Sequence, residues 1–110
     1  MSIEASDLID YVKERFTRAF PGYLQTLDYL FKSRHGLNAL QMFFYDSVEF
    51  YKTVKEHYGI EDVALFVVTY LVKTVLIRLN RLDLLDEAVR KAVNNSKDFK
   101  ELLEGLGVRY

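Results

Sequence analysis

The stretch Asp62–Leu82, DVALFVVTYLVKTVLIRLNRL, limits what this chain can fold into more than any other part of it. Between Val63 and Leu79 only Thr69, Lys73, Thr74 and Arg78 interrupt the apolar residues. A helix here is hydrophobic around most of its circumference and must be surrounded by other elements. The run is also rich in β-branched residues, and ALFVVTYLV and TVLI would suit two strands. Against that pairing, no Gly, Pro or Asn-Gly lies between them, the neighbouring segments read as helices, and the run is too long for one strand. The expectation is an all-α bundle of five to six helices around a central hydrophobic helix at about 62–80.

The helices around it show themselves by apolar spacing and punctuation. Leu8, Ile9, Val12, Phe16, Ala19 and Phe20 recur at intervals of three and four, with Ser6 placed to cap them. Pro21-Gly22 breaks that helix and opens the next, whose buried side is Tyr23, Leu24, Leu27, Leu30 and Phe31, and Gly36 supplies a left-handed cap. Asn38 with Gln41 reads as a capping box, and Leu37 is placed to staple against Met42. One long helix is then expected over 38–58, with Leu40, Phe43, Phe44, Ser47, Phe50, Tyr51, Val54 and Tyr58 on its core side and Gly59 at its end. Beyond the central helix, Leu85, Ala88, Val89, Ala92 and Val93 give a helix with Asp83 as cap. Ser96 opens a short last one carrying Phe99, Leu102, Leu103 and Leu106.

Within the central helix Asp62, Thr69, Lys73 and Asn80 fall on one narrow stripe at about 100° per residue, which should face water while nearly everything else before Val72 is buried. Thr74, Arg78 and Arg81 form a second polar line confined to its C-terminal half. Arg78 sits on the wheel beside Val67 and Leu71, and a guanidinium buried there needs a carboxylate or carbonyl partner.

Residues 1–110 read as a single domain, with no internal repeat or flexible linker, and the chain is long enough to be stable without metals or disulfides. It has no cysteine, which removes a disulfide framework, thiolate metal sites and a cysteine nucleophile. The 15 bases and 16 acids leave a net charge of −1, so there is no global field to draw in nucleic acid or an anionic membrane. The N-terminal MSIEASDLIDYVKERF carries acids where a secretory signal needs bases, and no uninterrupted apolar segment is long enough to span a bilayer. A cytoplasmic protein with no membrane association is expected.

Motifs that carry chemistry are missing. His35 and His57 are the only histidines, neither has a histidine at three or four residues or Glu three positions before it, and a bound metal is not expected. Asp46 and Glu49 lie three apart but face away from the aromatic stripe, where water keeps both ionised. No Gly-rich phosphate loop or nucleophile elbow occurs. The segment SKDFKELLEGLGV has the pattern of a first helix and turn of a helix-turn-helix, but two residues follow it, too few for a recognition helix. No cofactor is expected; no motif points to an enzymatic activity, and an RNA-processing or other enzyme is kept only as a third reading, because helical active sites can be sparse in motif.

What remains is an aromatic surplus of eight Tyr and eight Phe, with Tyr11, Tyr29, Tyr45 and Met42 off the main stripes of their helices. Aromatics and Met on otherwise polar faces are enriched in protein interfaces. The leading expectation is therefore a non-enzymatic interaction module, a homodimer or a partner of another protein, with Tyr29, Met42 and Tyr45 as candidate contacts. The alternative is a small nucleic-acid-associated regulator using a local basic patch of Arg78, Arg81, Arg90 and Lys91, although Asp83, Asp86 and Glu87 interleave with those bases.

Overall fold

The apolar run forms a helix, and its β-branched residues do not pull it into strands. In the computed structural model, which describes residues 2–110, α5 spans Glu61–Arg78 and buries Ala64, Val67, Val68, Leu71, Val72, Thr74, Val75 and Leu76. Tertiary packing around most of the helix overrides the weak β preference of its valines. Acidic Glu61 and Asp62 occupy the first turn, where they complement the helix dipole. At the other end Asn80 adopts φ 58°, the Arg81 N–H bonds Leu76 O and the Asn80 N–H bonds Ile77 O. That pair of bonds is a Schellman stop with Asn in the left-handed position usually given to Gly.

Six further helices sheathe or extend this rod: α1 (Ala5–Ala19), α2 (Tyr23–His35), α3 (Ala39–Tyr45), α4 (Ser47–Tyr58), α6 (Leu85–Asn94) and α7 (Ser96–Gly105). Helices α1, α4 and α6 pack directly against α5. The all-α class stands, with seven helices among the described residues. The Cα radius of gyration of 12.8 Å is that of a close-packed chain of this length, about 13 Å. Among the described residues no helix is long and apolar enough to cross a membrane.

The helix expected over 38–58 is broken at Asp46, whose backbone leaves the helical region at φ −148° and ψ 82°. Its N–H closes α3 on Met42 O at 2.7 Å, and its side chain opens α4 by accepting the Glu49 N–H at 3.1 Å. The break lets Phe43 gather Phe44, Phe50 and Phe99 at centroid distances of 5.2, 5.5 and 5.5 Å. The Asn38–Gln41 capping box at the start of α3 is present in both directions.

Other caps differ from expectation. Helix α1 starts a residue before Ser6 with no side-chain cap, because the chain enters it directly from a short strand. That strand, β1 (Ile3–Glu4), pairs in parallel with β2 (Val108–Arg109), so the two ends of the sequence lie side by side, clasped by a Glu4–Arg109 ion pair of 2.6 Å. Asn95, not Ser96, caps α7, by accepting the Asp98 N–H at 3.1 Å. A 3-10 turn at Leu82–Leu84 precedes α6 and takes Asp83 out of the capping role.

Candidate interaction surface

The residues expected at an interface separate in space. Tyr29 on α2 and Tyr45 at the end of α3 are 79% and 64% exposed. Met42 is not at the surface: it is 7% exposed and belongs to the core. The correction has a simple cause. Helix α3 is short and enclosed by α1, α2, α4 and α7, so a position off its main stripe still meets a neighbour, and Ala39, Leu40, Met42, Phe43 and Phe44 are all buried. Tyr45 instead borders a cleft with Gln41, Phe44 and Tyr110.

Two of the four basic candidates, Arg81 and Lys91, are neutralised where they stand. Arg81 donates two hydrogen bonds to Asp83, each 3.1 Å, and Lys91 bonds Glu87 at 2.9 Å. These bonds hold the Asp83 and Glu87 carboxyls below the usual carboxylate range, so both stay charged beside their bases. Arg90 is exposed, and its carbonyl accepts a bond from the Asn94 side chain. Arg78 is exposed as well, so its guanidinium needs no partner inside the core. It borders a cleft with Ile3, Asn80 and Leu106, where the C-terminal ends of α5 and α7 meet.

The polar clusters are taken up by the fold. His35 Nε2 lies 3.0 Å from the Thr53 hydroxyl and 3.8 Å from Glu49 Oε1, and the imidazole stacks on Phe31. Thr53 is 2% exposed, so this group ties α2 to α4 and offers no reachable nucleophile. Asp46 is engaged as a cap. A cleft of about 270 Å³ between α1, α2 and α3 is bordered by Asp28 and Gln41, but Asp28 accepts the Ala39 N–H and Gln41 serves the capping box. Among the described residues, no three of His, Asp and Glu are grouped so as to hold a metal ion.

The feature with no structural employment lies on α5. Phe66 is 58% exposed, Ile77 48% and Leu65 38%. Burial of nearly everything before Val72 was expected, so Leu65 and Phe66 are corrections. Phe66 and Ile77 sit within about 40° of the stripe through Asp62, Thr69 and Lys73, so the water-facing side of this helix is itself apolar along its middle. That alignment is readable on a helical wheel.

Helix α1 runs antiparallel to α5 and supports this face. Its C-terminal Phe20 touches Phe66 edge-on at 5.9 Å and Tyr70 at 5.1 Å, and the Tyr70 hydroxyl donates to Arg15 O at 3.4 Å. Phe16, 1% exposed, sits 5.7 Å from Tyr70 and joins the ring network to the core. Farther along the seam Tyr11, Tyr70, Lys73 and Ile77 border one cleft, and Arg15 lies over the Tyr11 ring at 4.7 Å. The result is an exposed aromatic and aliphatic ridge that runs from Phe66 past Tyr70 to Ile77, with Asp62 before it and Lys73 set within its second half.

Comparison of the chain with models of known protein families, with curated proteins and with solved structures finds no match in any of the three.

Proposed function

We propose that this chain is a helical protein–protein interaction module that self-associates through the exposed ridge of α5 and its α1 flank. One observation carries the reading: Phe66, a large ring in the middle of the central helix, is 58% exposed and yet held by an edge contact to Phe20. A pre-ordered aromatic anchor surrounded by partly buried apolar side chains is the usual core of an interface, because little side-chain entropy is lost when it is covered. From Asp62 to Ile77 the ridge runs about 22 Å at 1.5 Å per residue, and with α1 it is about 20 Å wide. Two copies would then bury about 900 Å² in total, below the standard interface, so association in the micromolar range is expected. Tyr29 and Tyr45 lie on other faces and are secondary contacts in this reading.

Light scattering across a concentration series tests it. Mass rising toward twice 12.9 kDa supports the reading, provided that Phe66→Asp returns the protein to the monomer with its helical circular dichroism intact. A mass that stays monomeric into the high micromolar range overturns it. Association through phosphate-binding bases would weaken steeply with salt, whereas burial of this ridge should change little between low and moderate salt.

A further inference from the structure

The α5 face is charged unevenly along its length, and that unevenness sets how a second copy can lie on it. Glu61 is occupied within the protomer, by Lys55 at 3.9 Å and by the Tyr51 hydroxyl at 3.2 Å. Asp62 and Lys73, on the exposed stripe, have no ion-pair partner among the described residues. They stand three turns apart, about 16 Å, on either side of Phe66, Thr69 and Tyr70. Parallel pairing of two such helices would set carboxylate against carboxylate, ammonium against ammonium, and dipole alongside dipole. Antiparallel pairing opposes all three.

Resting on the self-association proposed above, we infer that two copies pair with α5 antiparallel about a two-fold axis between Val67 and Val68, with Asp62 against the partner's Lys73. In an isologous contact each pairing occurs twice, so residue numbers facing one another sum to a constant. The sum that joins Asp62 to the partner's Lys73 also sets Phe66 level with the partner's Thr69. Thr69 is small and half-buried, which leaves room for the Phe66 ring. Neighbouring registers on the same face do worse. Sliding one turn toward the C-terminus sets Asp62 against the partner's Ile77, covering a carboxylate with an alkyl side chain, and sliding one turn the other way sets Asp62 against Thr69 and strands Lys73. The favoured register keeps the apolar centre dry and puts one opposite-charge pair at each edge, where it selects the alignment more than it adds affinity.

Charge reversal reads this register directly. Asp62→Lys and Lys73→Asp each place two like-charge contacts in the dimer, and each is expected to weaken self-association about tenfold. The double variant restores it to within about threefold. The sharper measurement mixes the two single variants in equal amounts: each then carries the complement of the other, so sedimentation velocity should show association close to wild type in the mixture and much weaker association in either variant alone. If the wild type dimerises, and Phe66→Asp abolishes the dimer, but neither the double variant nor the mixture recovers, the register is wrong while the face stands. If the wild type is monomeric, the self-association itself is wrong and the register falls with it. Circular dichroism of each variant separates loss of pairing from loss of fold, and a variant that unfolds is replaced by Asp62→Asn or Lys73→Gln, whose weakening should be about threefold each.

Discussion

Replacing Asp46 by Ala removes a carboxylate that secures α4 twice. Its Oδ1 accepts the Glu49 N–H at 3.1 Å, and it accepts the Ser96 hydroxyl at 2.6 Å. Ser96 in turn accepts the Val48 N–H at 2.9 Å, so the pair satisfies two of the N–H groups left open at the start of α4 and ties that start to the first residue of α7, fifty positions away. Loss of the cap alone costs about 1 kcal/mol, and the charge-assisted Ser96 bond adds about 1 kcal/mol after allowance for the exposure of Asp46. Asp46→Ala is therefore expected to lower stability by about 2 kcal/mol and Ser96→Ala by about 1 kcal/mol. Because both act through one network, the double variant should fall short of the sum by at least about 0.5 kcal/mol. With a urea slope of about 2 kcal/mol/M, the Asp46→Ala midpoint moves down by about 1 M. Asp46→Asn keeps a capping oxygen and should lose less than half as much. Urea denaturation followed by circular dichroism and by tyrosine fluorescence supplies all four values. Additive losses, or an Asp46→Ala midpoint within about 0.2 M of wild type, would refute the coupling of α4 to α7.

Three further outcomes follow from buried or strained groups. Ser47 is 1% exposed and its hydroxyl has no hydrogen-bond partner among the described residues, so Ser47→Ala should raise stability by about 1 kcal/mol in urea denaturation, and a loss would mean that the hydroxyl is satisfied after all. Asn80 holds the left-handed stop of α5, so Asn80→Gly should be neutral or slightly stabilising while Asn80→Ala costs about 1 kcal/mol; equal thermal midpoints for the two would contradict the cap. The Tyr23 phenol is pushed above its ordinary range, by burial first and then by the Tyr58 hydroxyl. The folded chain thus keeps a proton that the unfolded chain releases near the ordinary phenol value of about 10. Its contribution is complete below that pH and is lost as pH rises beyond it, so Tyr23→Phe should flatten the alkaline fall in stability measured by urea titration between pH 9 and 11.

The elements that the sequence made readable are those set by local signals. The α5 run, the Asn38–Gln41 box, Gly36 and Gly59 as left-handed ends, and the Pro21-Gly22 corner all depend on residues within one or two turns of each other. The break at Asp46 has a local signal too, since Asp46-Ser47-Val48-Glu49 has the spacing of an N-terminal cap. It was masked by an aromatic period that runs straight through it: Phe43 and Phe50 lie on one side of either a continuous or a broken helix. The parallel pairing of β1 with β2 had no such signal. Two-residue strands at opposite ends of a chain meet only because α7 and α1 deliver them to the same place, and no propensity of Ile3 or Val108 encodes that.

Exposure is harder to read than secondary structure because it depends on where a neighbour stops. On α5, Phe66 and Tyr70 stand about 40° apart, and periodicity treats them nearly alike. Their environments differ because α1 lies antiparallel to α5 and ends at Ala19, cut short by Pro21. Tyr70 falls alongside the body of α1, between Phe16 and Phe20, with its hydroxyl on Arg15 O. Phe66 lies level with the last ring of that helix and receives one edge contact from Phe20 before the chain turns away. The same reasoning accounts for Met42 in reverse: α3 is short, and its neighbours α1, α2, α4 and α7 leave only Tyr45 at its end well exposed. The bare ridge on α5 is thus set by the position of a proline forty-five residues upstream of Phe66. Lengthening α1 by one turn would cover the face on which the proposed self-association depends.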